Sequence, residues 1–389
     1  MAKNSLARRF YSVTAVRLFF VAIAGAVLHQ NAVAETSKNT VFQSGEDGYH
    51  TYRIPAIVRA QNGHLLAFAE GRKNATSDHG DIDIVLKRSD DDGRTWSMMQ
   101  LVQDEWDNPT AKVWIGNPAP VVDLMDTEHP GRIWLAFTRS NASAFVTFSD
   151  DHGATWSKRR DVSGKGRVPS WGWYATGPVH GIQLERGEHA GRLVIPCDHQ
   201  IKADGSWGAH ILYSDDHGAT WQVGAVDTRE AESPLHPNEC VVAELVDGRI
   251  YVNARDQHGS DPATRAIAFS SDGGSTFDAP FRPEPEITTP VVQNSAIRFA
   301  ASDRGDDRNV LVYSCPGHAK ERRDLTILAS FDEGDSWPAK RIVHHGPAAY
   351  SDLIKLNGKQ IGVLYEAGAP LYDEIVFAVV DWADVANEW

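Results

Sequence analysis

Residues 214–221 read SDDHGATW, and residues 149–156 spell the same eight letters. Looser copies follow the same template: SDDDGRTW from Ser89, SSDGGSTF from Ser270 and SFDEGDSW from Ser330. The five starts lie 56–65 residues apart, and a fixed period of that order is the signature of a repeat architecture. The octad's composition has a mechanical reason. An Asp at the third position accepts hydrogen bonds from backbone N–H groups beyond it, and a Gly at the fifth takes positive φ without steric cost. Ser and Thr lock the flanks of the turn, and Trp buries a large face between neighbouring sheets. The carboxylates of Asp91, Asp151, Asp216, Asp272 and Asp332 are therefore read as turn-holding groups. Asp90-Asp91-Asp92-Gly93 lacks the later oxygen ligands of a calcium loop.

Working outward, the segments between octads read as short strands. TYRIPAIVRA, HLLAFAEG, RIWLAFTR, AHILYSD and RIYVNARD are rich in Val, Ile and Phe and are separated by Gly, Asp, Asn and Pro. Each octad directly follows such a strand, so it sits at a strand-to-strand turn. Beyond the N-terminal apolar segment no 12-residue stretch keeps a helical period. A four-stranded sheet of about 60 residues repeated around a ring is the plan of a propeller. Residues 35–389 hold about six such units, so the expected fold is all-β, a six-bladed β-propeller in one domain.

Residues 1–34 read as a leader. Lys3, Arg8, Arg9 and Arg17 precede the apolar stretch Leu18 to Leu28, and Ala32-Val33-Ala34 offers a small-x-small cleavage pattern. The stretch is well short of the ~20 residues that span a bilayer. The expectation is an exported protein, periplasmic or secreted, with no membrane insertion after cleavage. Removing the leader takes four basic side chains and moves the formal charge from −14 to about −18, which argues against nucleic acid or an anionic membrane as partner. Cys197, Cys240 and Cys315 have no metal-ligand or CxxC spacing, so stability is expected to rest on a core rather than a disulfide framework. No HExxH and no glycine-rich phosphate loop occurs, and no cofactor or metal is implied.

The octads resemble the Asp boxes, or BNR repeats, of the sialidases (neuraminidases). Tyr52-Arg53-Ile54-Pro55, upstream of the first box, matches that family's aromatic-Arg-Ile-Pro motif. The resemblance covers nearly the whole chain after the leader and is to the bacterial exo-α-sialidases. It implies a retaining hydrolase that removes terminal α-linked sialic acids from sialylated glycans, glycoproteins or glycolipids. Few residues lie outside six units, so no appended lectin module is expected.

The substrate's chemistry makes the resemblance specific. Sialic acid carries a carboxylate on its anomeric carbon, which calls for planar, permanently charged donors. Three arginines match the family's triad: Arg53 in YRIP, Arg255 closing IYVNAR, and Arg322 before Asp324-Leu325, with Arg323 as runner-up. The same carboxylate repels an anionic nucleophile, and the family is the tyrosine-nucleophile exception among glycosidases. Tyr350 in GPAAYSDL matches that tyrosine. A phenol titrates near ~10 and needs a base, the role that falls to Glu239 in HPNECVVAEL, with Glu244 competing. Asp78 in SDHGDID matches the acid/base aspartate, with Asp81 and Asp83 as alternatives. Glu366 in VLYEAG matches the carboxylate that orients the first arginine, and Arg72 in AEGRKN an arginine near the ring hydroxyls. Trp171, Trp173 and Tyr174 stay outside the site as core aromatics. A non-catalytic sialoglycan-binding propeller is the alternative from another class; it needs the arginines but not Tyr350, Glu239 and Asp78. A trans-sialidase or a related nonulosonic-acid hydrolase is the other alternative.

Overall fold

The β-branched and aromatic runs between the octads do form strands, because half-buried alternating segments bounded by Gly and Asp turns satisfy their backbone groups only by lateral pairing. The computed structural model describes Met1 and residues 37–105, 113–163, 169–227, 234–260 and 263–386. The expected leader therefore lies, beyond Met1, outside the described residues. Among the described residues the strands build five antiparallel sheets in a propeller-like ring, and one α-helix, Trp382–Ala386, follows the last strand.

Four sheets each hold consecutive strands. The first is Thr51–Arg59, Leu65–Arg72, Ile82–Ser89 and Gln100–Gln103; the second is Ile115–Asp123, Arg132–Arg139, Ser143–Ser149 and Arg160–Asp161. The third is Trp171–Thr176, Leu193–Ile201, Trp207–Ser214 and Gln222–Val226, with Ile182–Gln183 paired onto Leu193–Ile201. The fourth is Pro237–Glu244, Ile250–Ser260, Ala263–Ser270 and Arg282–Pro283.

The fifth sheet corrects the expected count of six blades. It is one continuous seven-stranded sheet, running from Ser295–Ala300 through Val310–Pro316, Arg323–Ser330, Ala339–Asn357, Gln360–Ala367 and Glu374–Asp381 to the N-terminal strand Ser37–Gln43. Ala339–Asn357 makes it continuous: its first half pairs with Arg323–Ser330 and its second half with Gln360–Ala367. Gly346-Pro347 resembles a turn in sequence, yet Gly346 at φ 105° lets the chain bend without leaving the ladder. The two arms of this sheet enclose a cluster of their own, with Val312, Ile327, Leu353, Val363 and Ala378 fully buried.

The remaining core lies as slabs between neighbouring sheets. Phe68, Leu86, Ile133 and Phe137 fill the gap between the first and second, and Val194, Ile211, Val242 and Val252 that between the third and fourth. Phe42, Leu65, Val85 and Phe377 join the first sheet to the fifth and so close the ring.

The octads act at these joints. In each, the Asp takes the hydroxyl of the first residue and the N–H and hydroxyl of the seventh, as Asp216 does with Ser214 (2.9 Å), Thr220 N (2.7 Å) and Thr220 Oγ1 (2.7 Å). The Gly then presses against the preceding sheet. A Cβ on Gly218 would stand 2.2 Å from the Trp134 indole, on Gly153 2.4 Å from Leu66, and on Gly93 2.1 Å from Phe377. The strand Ile82–Ser89 runs from the loop bearing Asp78 to the first octad, so the octads and the Asp78 loop lie at opposite ends of the strands.

Candidate active site

The first strands of several sheets break register at the end that faces away from the octads. The breaks fall between Arg53 and Ala56, between Gly116 and Ala119, and between Pro237 and Cys240; the long strand does the same between Ala348 and Ser351. A bulge re-aims the side chains beside it. Here the bulged segments carry Arg53, Glu239 and Tyr350. In the first of them Ile54 sits at φ 60°, a region hostile to a β-branched residue. Its N–H is secured by Glu366 Oε1 at 2.9 Å.

Glu366 is the fixed point of the cluster. Fully buried, its carboxylate takes Arg53 Nε (2.9 Å) and Nη2 (3.2 Å), the Ile54 amide and the Tyr350 amide (3.1 Å). One carboxylate thereby locks an arginine and a tyrosine some 300 residues apart in sequence, and its charge is compensated by a bidentate guanidinium contact.

The Tyr350 hydroxyl donates to Glu239 Oε1 at 2.6 Å and accepts from Arg255 Nη1 at 3.1 Å. Arg255 Nη1 also pairs with Glu239 Oε2 at 2.8 Å, and its Nη2 donates to Asn238 Oδ1 at 3.0 Å. The guanidinium carbons of Arg53 and Arg322 lie 5.0 and 5.6 Å from the centre of the Tyr350 ring. Burial pushes the Tyr350 phenol well up and the Glu239 charge adds to this, outweighing the three arginines. In the resting protein the phenol is therefore protonated, and the carboxylate at hydrogen-bond distance is the group that can take its proton.

Asp78 lies at the rim on the loop after Leu65–Arg72, its side chain 67% exposed. Arg72 Nη1 reaches it at 2.7 Å and Arg53 Nη1 at 3.5 Å. Burial raises its pKa, but the charge of Arg72 and then of Arg53 outweighs that and holds the carboxyl below its usual value. Arg72 is itself fixed by Glu70, through Nε at 3.0 Å and Nη2 at 2.6 Å.

The alternatives weighed from sequence lie elsewhere. Asp81 and Asp83 pair with Lys73, and Asp83 accepts from the Tyr49 hydroxyl at 2.6 Å. Glu244 binds the amides of Glu185 and Arg186 and lines a cavity at the other end of its strand. Arg323 pairs with its neighbour Asp324, while Arg322 turns inward to the Val291 carbonyl and the Tyr372 hydroxyl at 2.9 Å. Trp171 and Tyr174 are buried; Trp173 is partly exposed, edge-on to Trp207.

Three contributors have no place among the sequence candidates. Tyr372 lies under the Arg53 guanidinium at 4.1 Å and bonds Arg322, but its loop carries no motif that would single it out. Asn238 holds Arg255 from the position next to Glu239. Glu70 was open to inference, since it lies two residues from Arg72 in a strand and so shares its face. Asp123, Asp126 and His217 bring metal-ligand atoms together at the octad end. The Asp123 oxygens are filled there by the Met125 and Asp126 amides, Gln183 and His217.

The arrangement can hold an anionic group between three arginines, against a phenol with a base in contact and a carboxyl group at the rim. Comparison with known proteins gives the family to which the chain belongs. The model of the BNR repeat-like domain matches residues 63–363. A sialidase of Micromonospora viridifaciens is 32% identical over 89% of this chain and 54% of its own length, and one of Bacteroides fragilis is 28% identical over 88% and 64%. The chain thus spans between half and two thirds of these relatives. Among solved structures, the Hadza microbial sialidase Hz136 superposes with a TM-score of 0.77 at 27% identity, over 90% of this chain and 69% of that one.

Proposed function

The chain belongs to the family of BNR repeat-like domains, and from that membership we propose that it is a retaining exo-α-sialidase acting on terminal α-linked sialic acids of glycans, glycoproteins or glycolipids. The observation that carries this reading is the contact of Tyr350 with Glu239 at 2.6 Å inside the ring of Arg53, Arg255 and Arg322. A binding module gains nothing from a base aimed at a phenol.

In this mechanism the substrate carboxylate settles among the three guanidinium groups, which are planar, always charged and already held by Glu366, Asn238 and the Val291 carbonyl. The Tyr350 oxygen bonds to the anomeric carbon as its proton passes to Glu239. The bond from that carbon to the aglycone oxygen breaks, and protonated Asp78 supplies the proton that the leaving oxygen takes. Asp78 then accepts a proton from a water that attacks the same carbon. The Tyr350 oxygen leaves and recovers its proton from Glu239. Two displacements on one carbon retain configuration.

The test is incubation with an umbelliferyl α-sialoside, followed by proton NMR of the sugar released in the first minutes. Release of the α-anomer supports the reading. A β-anomer as first product overturns the double displacement, and no release from any sialoside overturns the activity.

A further inference from the structure

Asp198 is a carboxyl group that the mechanism above does not use. It stands in the strand Leu193–Ile201, between Ala175 and Ala209 of the flanking strands, and is 0% exposed. Among the described residues no donor meets either of its oxygens in good hydrogen-bond geometry; the indole N–H of Trp173 faces it from Trp171–Thr176 and gives the carboxylate weak support. Two charged groups act on it from the fourth sheet: Glu239 of Pro237–Glu244 and Arg255 of Ile250–Ser260. Cys240, next to Glu239, and Cys197 on its own strand complete the titratable surroundings, and burial keeps both thiols neutral. His199 and His210 belong to the other face of the sheet, where both rings pack on Trp171.

An ionised carboxylate that is fully buried with its oxygens poorly met by donors costs several kcal/mol, so such a group keeps its proton instead. Among the described residues Arg255 is the cation that acts on it, and Arg255 is already engaged by Glu239, Asn238 and Tyr350. Two carboxyl groups that share one arginine do not both ionise readily. Of the two, Glu239 holds the contacts that favour the anion. Burial, and then the Glu239 charge, push the Asp198 carboxyl well above its usual range against the opposing pulls of Arg255 and the Trp173 indole N–H.

We propose that Asp198 is a positioning residue, held as the neutral acid beside Glu239 so that Arg255 serves a single carboxylate, and that its ionisation shuts the site at high pH. When its proton leaves to water, a second negative charge appears beside Arg255. The Glu239 carboxylate then loses its sole claim on that arginine, and the substrate's own carboxylate meets repulsion. The inference rests on reading Tyr350 and Glu239 as nucleophile and base.

The experiment follows kcat/KM against pH with an umbelliferyl α-sialoside, whose phenol departs unaided, so that an alkaline limb from Asp78 drops out. Wild type is expected to show an alkaline limb that Asp198→Asn loses. The same limb in both proteins overturns the proposal. Should the Asn variant fold poorly, Asp198→Leu, uncharged and of similar bulk, serves the same comparison. Infrared difference spectra of wild type between neutral and high pH give a readout independent of turnover. A protonated-carboxyl stretch present at neutral pH, lost as pH rises and absent from the variant supports the proposal, and its absence from wild type sinks it. A wild type that cleaves no sialoside defeats the proposed activity alone, because the infrared result still reports the state of Asp198.

Discussion

Tyr350 serves as nucleophile only if its ring is held while its oxygen stays free to move between Glu239 and substrate. Glu366 grips its backbone amide, and two guanidinium groups flank the ring. Tyr350→Phe keeps each of these contacts and removes only the attacking oxygen. The expected result is a loss of turnover beyond tenfold, a barrier rise above ~1.4 kcal/mol, with the inhibition constant of a sialic acid analogue changed no more than a few fold. Retained turnover would move the nucleophile elsewhere. Asp78 makes a different demand, because Arg72 and Arg53 hold it ionised in the resting protein, whereas an acid must arrive protonated. In the proposed mechanism the substrate's carboxylate would take Arg53 and so remove the weaker of the two pulls on Asp78, leaving that of Arg72. Asp78→Ala should then lose far more activity on sialyllactose than on an umbelliferyl sialoside, read in single turnovers. Equal losses would leave Asp78 a positioning role only. Arg53, Arg255, Arg322, Glu239, Tyr350, Glu366 and Asp78 were legible because their stretches match motifs of the sialidase family, and the fold brings them together. Tyr372 and Asp198 were not, because their importance comes from three-dimensional neighbours: a loop folded under Arg53, and a strand face closed by the next sheet.

At the scale of the element, the octads are turns whose carboxylates work only as anions. Asp91 is held at about 2, first by the Thr95 amide and then by the Thr95 hydroxyl, against a usual 3.8. Asp151, Asp216, Asp272 and Asp332 are lowered as well; burial opposes the shift, and hydrogen bonds from the seventh residue of each octad and its serine outweigh it. A carboxyl whose folded pKa lies below its unfolded one contributes stability that is full above the unfolded value and is lost as pH falls through the folded one. Thermal stability should therefore decline from about pH 4 towards pH 2, and Asp91→Asn should flatten that decline in a melting series. An unchanged slope would mean that the octads do not govern acid sensitivity. The octads' spacing and composition were legible because each turn is self-contained, its hydrogen bonds falling within eight residues. The count of sheets was not, since the last unit carries no octad and Gly346-Pro347 bends the strand Ala339–Asn357 without ending it.

For the molecule as a whole, the question is what keeps a ring of sheets from opening. One tie lies inside: Asp352, fully buried, accepts from the amides of Ile57 (2.8 Å) and His180 (3.1 Å) and from the Ser295 hydroxyl (2.8 Å), joining three distant parts of the chain. The other lies at the seam where the first sheet meets the fifth. Phe377 is fully buried there, edge-on to Trp96 with ring centres 5.5 Å apart, and pressed against Gly93, so the first octad closes on the last strand of the fifth sheet. Phe377→Ala leaves a cavity that neither sheet can fill, because Gly93 offers no side chain and the strand Glu374–Asp381 is pinned on both edges by Gln360–Ala367 and Ser37–Gln43. The cost expected is about 3–5 kcal/mol, read as a fall in Tm of roughly 5 °C. Phe331→Ala is the control, since Phe331 is only partly buried and lies away from the seam. If the ring is held at the seam, Phe377→Ala melts well below Phe331→Ala while its folded fraction keeps its catalytic constants, because the octads and the candidate site lie at opposite ends of the strands. Equal losses in the two variants would mean that closure resides in the Asp352 tie instead.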